Sequence, residues 1–322
     1  MKAMVLEEIG KPLQMKDVPI PNPKEDEHLI RVLACGVCRT DQHIIDGEIV
    51  TKKLPLIPGH QIVGIDETTK KLVGVAWLAK TCGSCAYCIE EQENLCDHAL
   101  FTGYDLNGGY AEYVVAHKDF IYPLSDSYSP IETAPLLCSG MLGYRAYKML
   151  GEAKRVGFYG FGAAAHILIQ IAKAQGKEVF VFTRQDDVEA ASLAKNLGAT
   201  WVGSSLEGSP TPLDAAIIFA SDGKLVPQAL KNVKKGGVVI CAGIHMSDIP
   251  SFPYEILWGE RTLKSVANLK RQDAEEFLAL IEHIPLKLQI TTYALEDTNK
   301  AISDLRDGHL TGAAVILINA KE

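Results

Sequence analysis

The chain reads as an α/β protein in two parts: a barrel-like all-β body made from both chain ends, and a doubly wound parallel sheet inserted between them. Three observations predict this. Up to about residue 145, short β-like runs alternate with turns rich in Pro and Gly; beyond it, apolar strands alternate with helical patterns. A glycine-rich turn, Gly160-Phe161-Gly162-Ala163-Ala164-Ala165, falls between one such strand and one such helix.

The first β-like run covers residues 1–8, and further runs follow at 28–33, 61–65, 71–77 and 109–115. Residues 155–160 form an apolar strand that leads into a helix through Lys173. Residues 178–182 form a second strand, which leads into a helix through Leu197. Three more strands are expected at 215–219, 237–241 and 263–266. Strands spaced by helices need crossover connections, so the sheet is parallel. From about residue 270 a helix over 273–283 and strand-like segments return, ending at 315–318. The domain division is residues 1–145 with 271–322, and residues 146–270.

Composition narrows the class of function. The 322 residues are 47% hydrophobic and 22% charged, with a formal net charge of -8 and no basic block. Phosphate neutralisation, and with it nucleic-acid binding, is not expected. No stretch reaches the roughly 18 apolar residues of a membrane span, and the first residues lack the apolar run of a signal peptide. Eight cysteines without a secretory signal point to metal ligation in a reducing compartment, with the cytoplasm expected.

Four of these cysteines, Cys82, Cys85, Cys88 and Cys96, form a C-x2-C-x2-C-x7-C run. Four thiolates so close in sequence can surround one Zn2+ tetrahedrally, and such a closed site serves stability. The flanking Gly, Ser, Glu, Gln and Asn residues suggest an exposed lobe rather than a core. Cys38, His60 and Cys138 are more dispersed. They have the composition of a catalytic zinc with an open fourth position, but spacing alone does not separate them from packed core residues.

The glycine-rich turn has the G-x-G-x-x-G/A form: Gly160 and Gly162 permit the tight turn and close approach, while Ala163 and Ala165 open the helix whose N–H groups receive a pyrophosphate. About 20 residues on, an NAD enzyme places Asp or Glu on the adenosine ribose. This chain has Thr183 and Arg184, which can hydrogen-bond and pair with a 2′-phosphate, so NADP(H) is favoured over NAD(H), with Asp186 and Asp187 close by.

The motifs Cys35-Gly36-Val37-Cys38-Arg39-Thr40-Asp41-Gln42-His43, Pro58-Gly59-His60-Gln61 and Ala134-Pro135-Leu136-Leu137-Cys138-Ser139-Gly140 carry a resemblance. With the cysteine lobe, the glycine turn and Asp105-Leu106-Asn107-Gly108-Gly109-Tyr110-Ala111-Glu112-Tyr113, the chain resembles the zinc-dependent alcohol dehydrogenases of the medium-chain dehydrogenase/reductase superfamily over essentially its whole length. The resemblance implies a GroES-like β-barrel catalytic domain and a Rossmann domain. It implies two Zn2+ per chain and NADP or NAD as cofactor. Cys38, His60 and Cys138 become the catalytic zinc ligands, Cys35 a non-ligand, and Asp41 a support of the site from outside the ligand set. Thr40 and His43 match the proton relay, in which a substrate proton passes through the cofactor ribose and reaches solvent at His43. Arg39 matches a contact to the cofactor pyrophosphate.

Two departures stand out. Gln61 occupies a place where the family usually has Glu, which makes the site less negative. Residues 66–71 replace a longer family stretch, which trims a hairpin of the β body. The expected activity is reversible oxidation of a primary alcohol, or reduction of an aldehyde, by a homodimer or homotetramer. A cinnamyl-type reductase of bulky aromatic aldehydes, with Trp77 and Leu78 lining its pocket, is one alternative. A non-catalytic NADPH-binding redox sensor is another. Cys138 argues against polyol dehydrogenases, which usually have Glu there, and the full ligand sets argue against zinc-free quinone reductases.

Overall fold

In the computed structural model, residues 1–51 and 53–318 are described. They divide into two compact units. One comprises Met1–Met141, Asn268–Glu282 and the chain from Leu288 onward; the other comprises Leu142–Ala267 and His283–Lys287.

The first unit is built on the long strand Glu27–Val37. Ile30, Val32 and Ala34 alternate inward along it, as the period of two requires, before the strand becomes fully buried. The sheet runs in the order Ile290–Ala294, Ala313–Leu317, Glu27–Val37, Gln61–Asp66, Leu72–Val75, Ile121–Pro123, and Tyr113–His117 pairs with the first half of Glu27–Val37. Pairing is antiparallel except between the first two of these strands. Met4, Leu6, Ile30, Ile62, Tyr110 and Ile316 form the centre of its core.

One expected strand is shorter than the sequence suggests. Residues 109–115 read as one run, yet the strand begins only at Tyr113. The N–H groups of Gly109 and Tyr110 instead donate to Gly59 O at 2.9 Å and Pro58 O at 3.1 Å. Docking this loop on the Pro58-Gly59 turn outweighs its strand-like alternation. The segment 66–71 closes a tight antiparallel hairpin. Asp66 Oδ1 accepts Thr68 N–H at 2.8 Å, its Oδ2 accepts the Thr69 hydroxyl at 2.7 Å, and Lys70 takes a left-handed φ of 59°.

The second unit is a six-stranded sheet in the order Trp201–Ser204, Glu178–Thr183, Arg155–Tyr159, Leu213–Ile218, Val233–Cys241, Thr262–Ser265. Every pairing is parallel. Numbered along the unit, this is the 3-2-1-4-5-6 order of a Rossmann fold. The middle strands are buried on both faces, which explains their near-continuous apolar runs. Tyr159 and Phe182 stack at 4.1 Å between neighbouring strands.

Candidate metal centres and dinucleotide site

Cys38 stands at the N-cap of the helix Arg39–Asp46, in extended backbone, and Asp41 lies one turn in. Asp41 is fully buried and accepts from four directions. Its Oδ2 takes Cys38 N–H at 2.9 Å and the Tyr110 hydroxyl at 3.0 Å; its Oδ1 takes Gly59 N–H at 3.1 Å and faces His60 Nδ1 at 3.0 Å. Gly59 must be glycine here. Its φ is 94°, and a Cβ would sit 2.7 Å from the Tyr110 ring.

With Nδ1 held by Asp41, the other ring nitrogen of His60 is buried without a hydrogen-bond partner. It converges with the thiols of Cys38 and Cys138, the three ligand atoms lying within 4.8 Å of one another. A hydrogen bond from the Cys138 thiol holds Cys38 well below the ordinary thiol range, although burial opposes its charge. Burial disfavours the charged form of His60, but the Asp41 carboxylate and the Cys38 sulfur outweigh it and lift the imidazole to about 10. The cluster therefore holds protons in a buried, electron-rich pocket, and a divalent cation would displace them. An orphaned imidazole nitrogen and two thiols fit zinc with one position open.

The Thr40 hydroxyl lies 3.6 Å from Cys38 Sγ. Cys35 is buried behind the site, and burial pushes its thiol well up, as suits a non-ligand. Gln61 is buried with Oε1 unpartnered, and its side chain packs flat over Gly36. Arg39 Nη1 donates to Gln42 Oε1 at 3.2 Å. His43 is only 8% exposed, and its Nδ1 meets the Glu48 carboxylate, whose side chain is 47% exposed. The water-facing group at this end of the helix is thus Glu48 and not the histidine itself.

The four-cysteine lobe brings its sulfurs together as the spacing predicts. Cys82 Sγ lies 3.9 Å from Cys88 Sγ and 3.6 Å from Cys96 Sγ. Four thiolates about 2.3 Å from one zinc would be about 3.8 Å apart, whereas a disulfide needs about 2.05 Å. All eight cysteines are free. Backbone N–H groups of Ser84 and Cys85 lower Cys82 to about 6. Cys82 is exposed, but Glu93, Asn94 and Cys96 are buried, so one side of the expected exposed lobe is packed against the body.

In the second unit the strand Arg155–Tyr159 ends at Gly160, and Gly162 caps the helix Ala163–Ala174. Gly160 has φ of 89°, and a Cβ there would press on Ala220 at 3.1 Å. A Cβ on Gly162 would meet nothing within 4 Å, so the backbone faces open space in front of the helix N-terminus. Free helix N–H groups beside an open cradle fit a pyrophosphate. Ala165 is fully buried, as close helix–sheet packing requires. The strand Glu178–Thr183 ends with Thr183 buried and Arg184 exposed, the latter 3.7 Å from Asp187, whose carboxylate caps the next helix.

Both architecture and sequence can be matched to known proteins. The alcohol dehydrogenase GroES-like domain model matches residues 24–126, and the zinc-binding dehydrogenase model matches residues 163–283. A "probable alcohol dehydrogenase" of Mycobacterium tuberculosis is 40% identical over 95% of this chain and 93% of its own length. An alcohol dehydrogenase of Geobacillus stearothermophilus is 36% identical over 98% of both chains. The chain belongs to the zinc-type medium-chain dehydrogenase/reductase superfamily.

Solved members of this superfamily share the fold. An acetophenone reductase from Geotrichum candidum, in complex with NAD, superposes with a TM-score of 0.88 at 25% identity, covering 98% of this chain and 96% of the other. A relative from Sulfurisphaera tokodaii, 32% identical over 98% of this chain and all of its own, is an NAD-dependent alcohol dehydrogenase. Membership makes the chain an oxidoreductase of the alcohol dehydrogenase kind, with zinc and a nicotinamide cofactor. Two contacts of the candidate residues escape a sequence reading: Tyr110 with Asp41, 69 residues away, and Glu48, beyond the helix, with His43. Tyr110 lies inside a motif that the sequence does single out; Glu48 has no such signal.

Proposed function

We propose that this dehydrogenase interconverts primary alcohols and aldehydes at a zinc held by Cys38, His60 and Cys138, with NADP(H) preferred to NAD(H). The observation that carries the reading is Asp41. It holds Nδ1–H of His60, so that Nε2 faces two thiols in a buried pocket and can bind a cation that displaces its proton. When bound, zinc supplies Lewis acidity to the substrate oxygen and the nicotinamide supplies or takes the hydride.

The chain's own residues position the substrate and move the proton. Thr40, its hydroxyl 3.6 Å from Cys38 Sγ, takes the substrate's hydroxyl proton at Oγ1. His43 would take the proton on its way outward and deliver it to the Glu48 carboxylate, which its Nδ1 meets. Gln61 beside His60 adds no charge, so the donor set carries one negative charge less than with the family's usual Glu.

Gly160, Gly162, Ala163 and Ala165 form the pyrophosphate turn. Thr183 and Arg184 support the NADP(H) preference because the second strand ends without a carboxylate that would repel a 2′-phosphate. Cys82, Cys85, Cys88 and Cys96 hold a second, structural zinc. The working form is a homodimer or a pair of such dimers.

The test is a metal count per chain together with initial rates on ethanol, benzyl alcohol and cinnamaldehyde, with NADP(H) and NAD(H), before and after chelation. Two zincs, loss of turnover with the more labile one, and higher kcat/KM with NADP(H) are expected. Activity indifferent to loss of that zinc would refute the mechanism, and fastest turnover of cinnamaldehyde would move the substrate class to bulky aromatic aldehydes.

A further inference from the structure

One hydrogen bond at Nδ1 fixes the position of the His60 ring but leaves it able to tilt about that contact. The Trp77 indole removes this freedom. It meets the imidazole edge to face, with ring centroids 5.0 Å apart and planes at 72°. The indole itself is stacked on Phe101, at 5.0 Å and 19°.

Its Nε1–H is a buried donor that needs a partner, and it donates to Asn268 Oδ1 at 3.1 Å. The other end of the same amide, Nδ2, donates to Asn94 O at 3.0 Å. Asn94 lies in the short turn Glu93–Leu95, directly before Cys96 of the four-cysteine lobe. Three residues past Asn268, Arg271 donates from its backbone N at 3.0 Å and from Nε at 3.4 Å to Glu93 Oε1. The segment from 268 to 271 thus grips the lobe's buried turn at two points.

Residue 268 is constrained twice over. Its φ of 54° is left-handed, which Asn tolerates better than most residues. Its side chain must accept from an indole and donate to a carbonyl, and an amide offers both where a carboxylate could only accept. We propose that Asn268 is a positioning residue for the open metal site, acting through the Trp77 ring on His60 and coupling that ring to the four-cysteine lobe. The proposal rests on reading Cys38, His60 and Cys138 as that site.

The experiment places Co2+ in the open site of the whole protein. It records the visible ligand-field bands and the rate of cobalt loss to a chelator for wild type, Asn268→Gly, Trp77→Phe and the double variant. Glycine keeps the left-handed φ without strain, so Asn268→Gly removes the amide alone. Trp77→Phe keeps a ring against His60 but removes its N–H. Both single variants should shift the bands and speed cobalt loss about tenfold. They should lower kcat with little change in cofactor KM. The double variant should match either single one, because both cut the same link.

Bands and loss rate unchanged in Asn268→Gly, or effects that multiply in the double variant, would overturn the proposal. If Asn268→Gly does not fold, Trp77→Phe decides alone, and unchanged bands there overturn it too. Wild-type protein that takes up cobalt only in the lobe would overturn the metal reading of Cys38, His60 and Cys138, and the role of Asn268 with it.

Discussion

Whether His60 can serve as a ligand depends on a single carboxylate. Asp41 is acceptor-only, and every group around it is a donor: Gly59 N–H and His60 Nδ1 on one oxygen, Cys38 N–H and Tyr110 O–H on the other. An Asn at this position has the same shape but must turn its NH2 toward one side or the other. Either orientation sets it against a backbone N–H that cannot move away. Asp41→Asn should cost about 1–3 kcal/mol of stability and weaken zinc at the open site about 10- to 100-fold. Urea unfolding and chelator competition read the two effects, and wild-type zinc affinity in this variant would show that His60 needs no such support. Tyr110→Phe removes one donor of four and should be milder on both counts.

The elements differ in how much of them a sequence exposes. Strands such as Arg155–Tyr159 and Glu178–Thr183 announce themselves because burial on both faces demands unbroken apolar runs. Trp201–Ser204 does not, being a half-buried edge strand interrupted by Gly203. The cysteine lobe is legible because its four cysteines are close in sequence; Cys38, His60 and Cys138 need a resemblance because the fold alone brings them together. The contacts of Tyr110, Trp77 and Asn268 are longer-range still and leave no pattern. Asp214 is a further case, since it staples three strands at one end of the Rossmann sheet. Its carboxylate accepts Lys154 N–H at 2.9 Å and Arg155 N–H at 2.8 Å, and pairs with Lys234 Nζ at 2.7 Å. Burial opposes its charge, but Lys234 and the two N–H groups prevail and bring it from 3.8 down to about 2. A carboxyl lowered on folding stabilises above its unfolded value and loses that contribution as pH falls toward its folded one. Asp214→Asn should therefore cost about 1–2 kcal/mol at pH 7, after allowance for solvent screening. The deficit should shrink between about pH 4 and pH 2. Urea midpoints of both proteins across that range provide the check, and a deficit independent of pH would mean that packing, not charge, is what Asp214 contributes.

For the whole molecule, one edge of the Rossmann sheet bears on assembly. Among the described residues the strand Thr262–Ser265 pairs on one side only, with Val233–Cys241, so its other side is an edge of the kind a second strand can extend. Just before it stand Tyr254 and Trp258, 68% and 63% exposed, with their rings in edge contact at 5.8 Å. Large aromatics are the residues most often found as anchors at the centre of protein interfaces. A second copy of the chain would cover the open edge and both rings through one self-complementary contact, the usual geometry of a two-fold dimer. Sedimentation at low micromolar concentration should then give twice the chain mass. Tyr254→Glu and Trp258→Glu each place a charge where an anchor was, and each should weaken association by about 2 kcal/mol or more, roughly thirtyfold in Kd. The double variant should sediment as a monomer. A wild-type monomer at the same concentration, or a double variant that stays dimeric, would move the interface elsewhere on the surface.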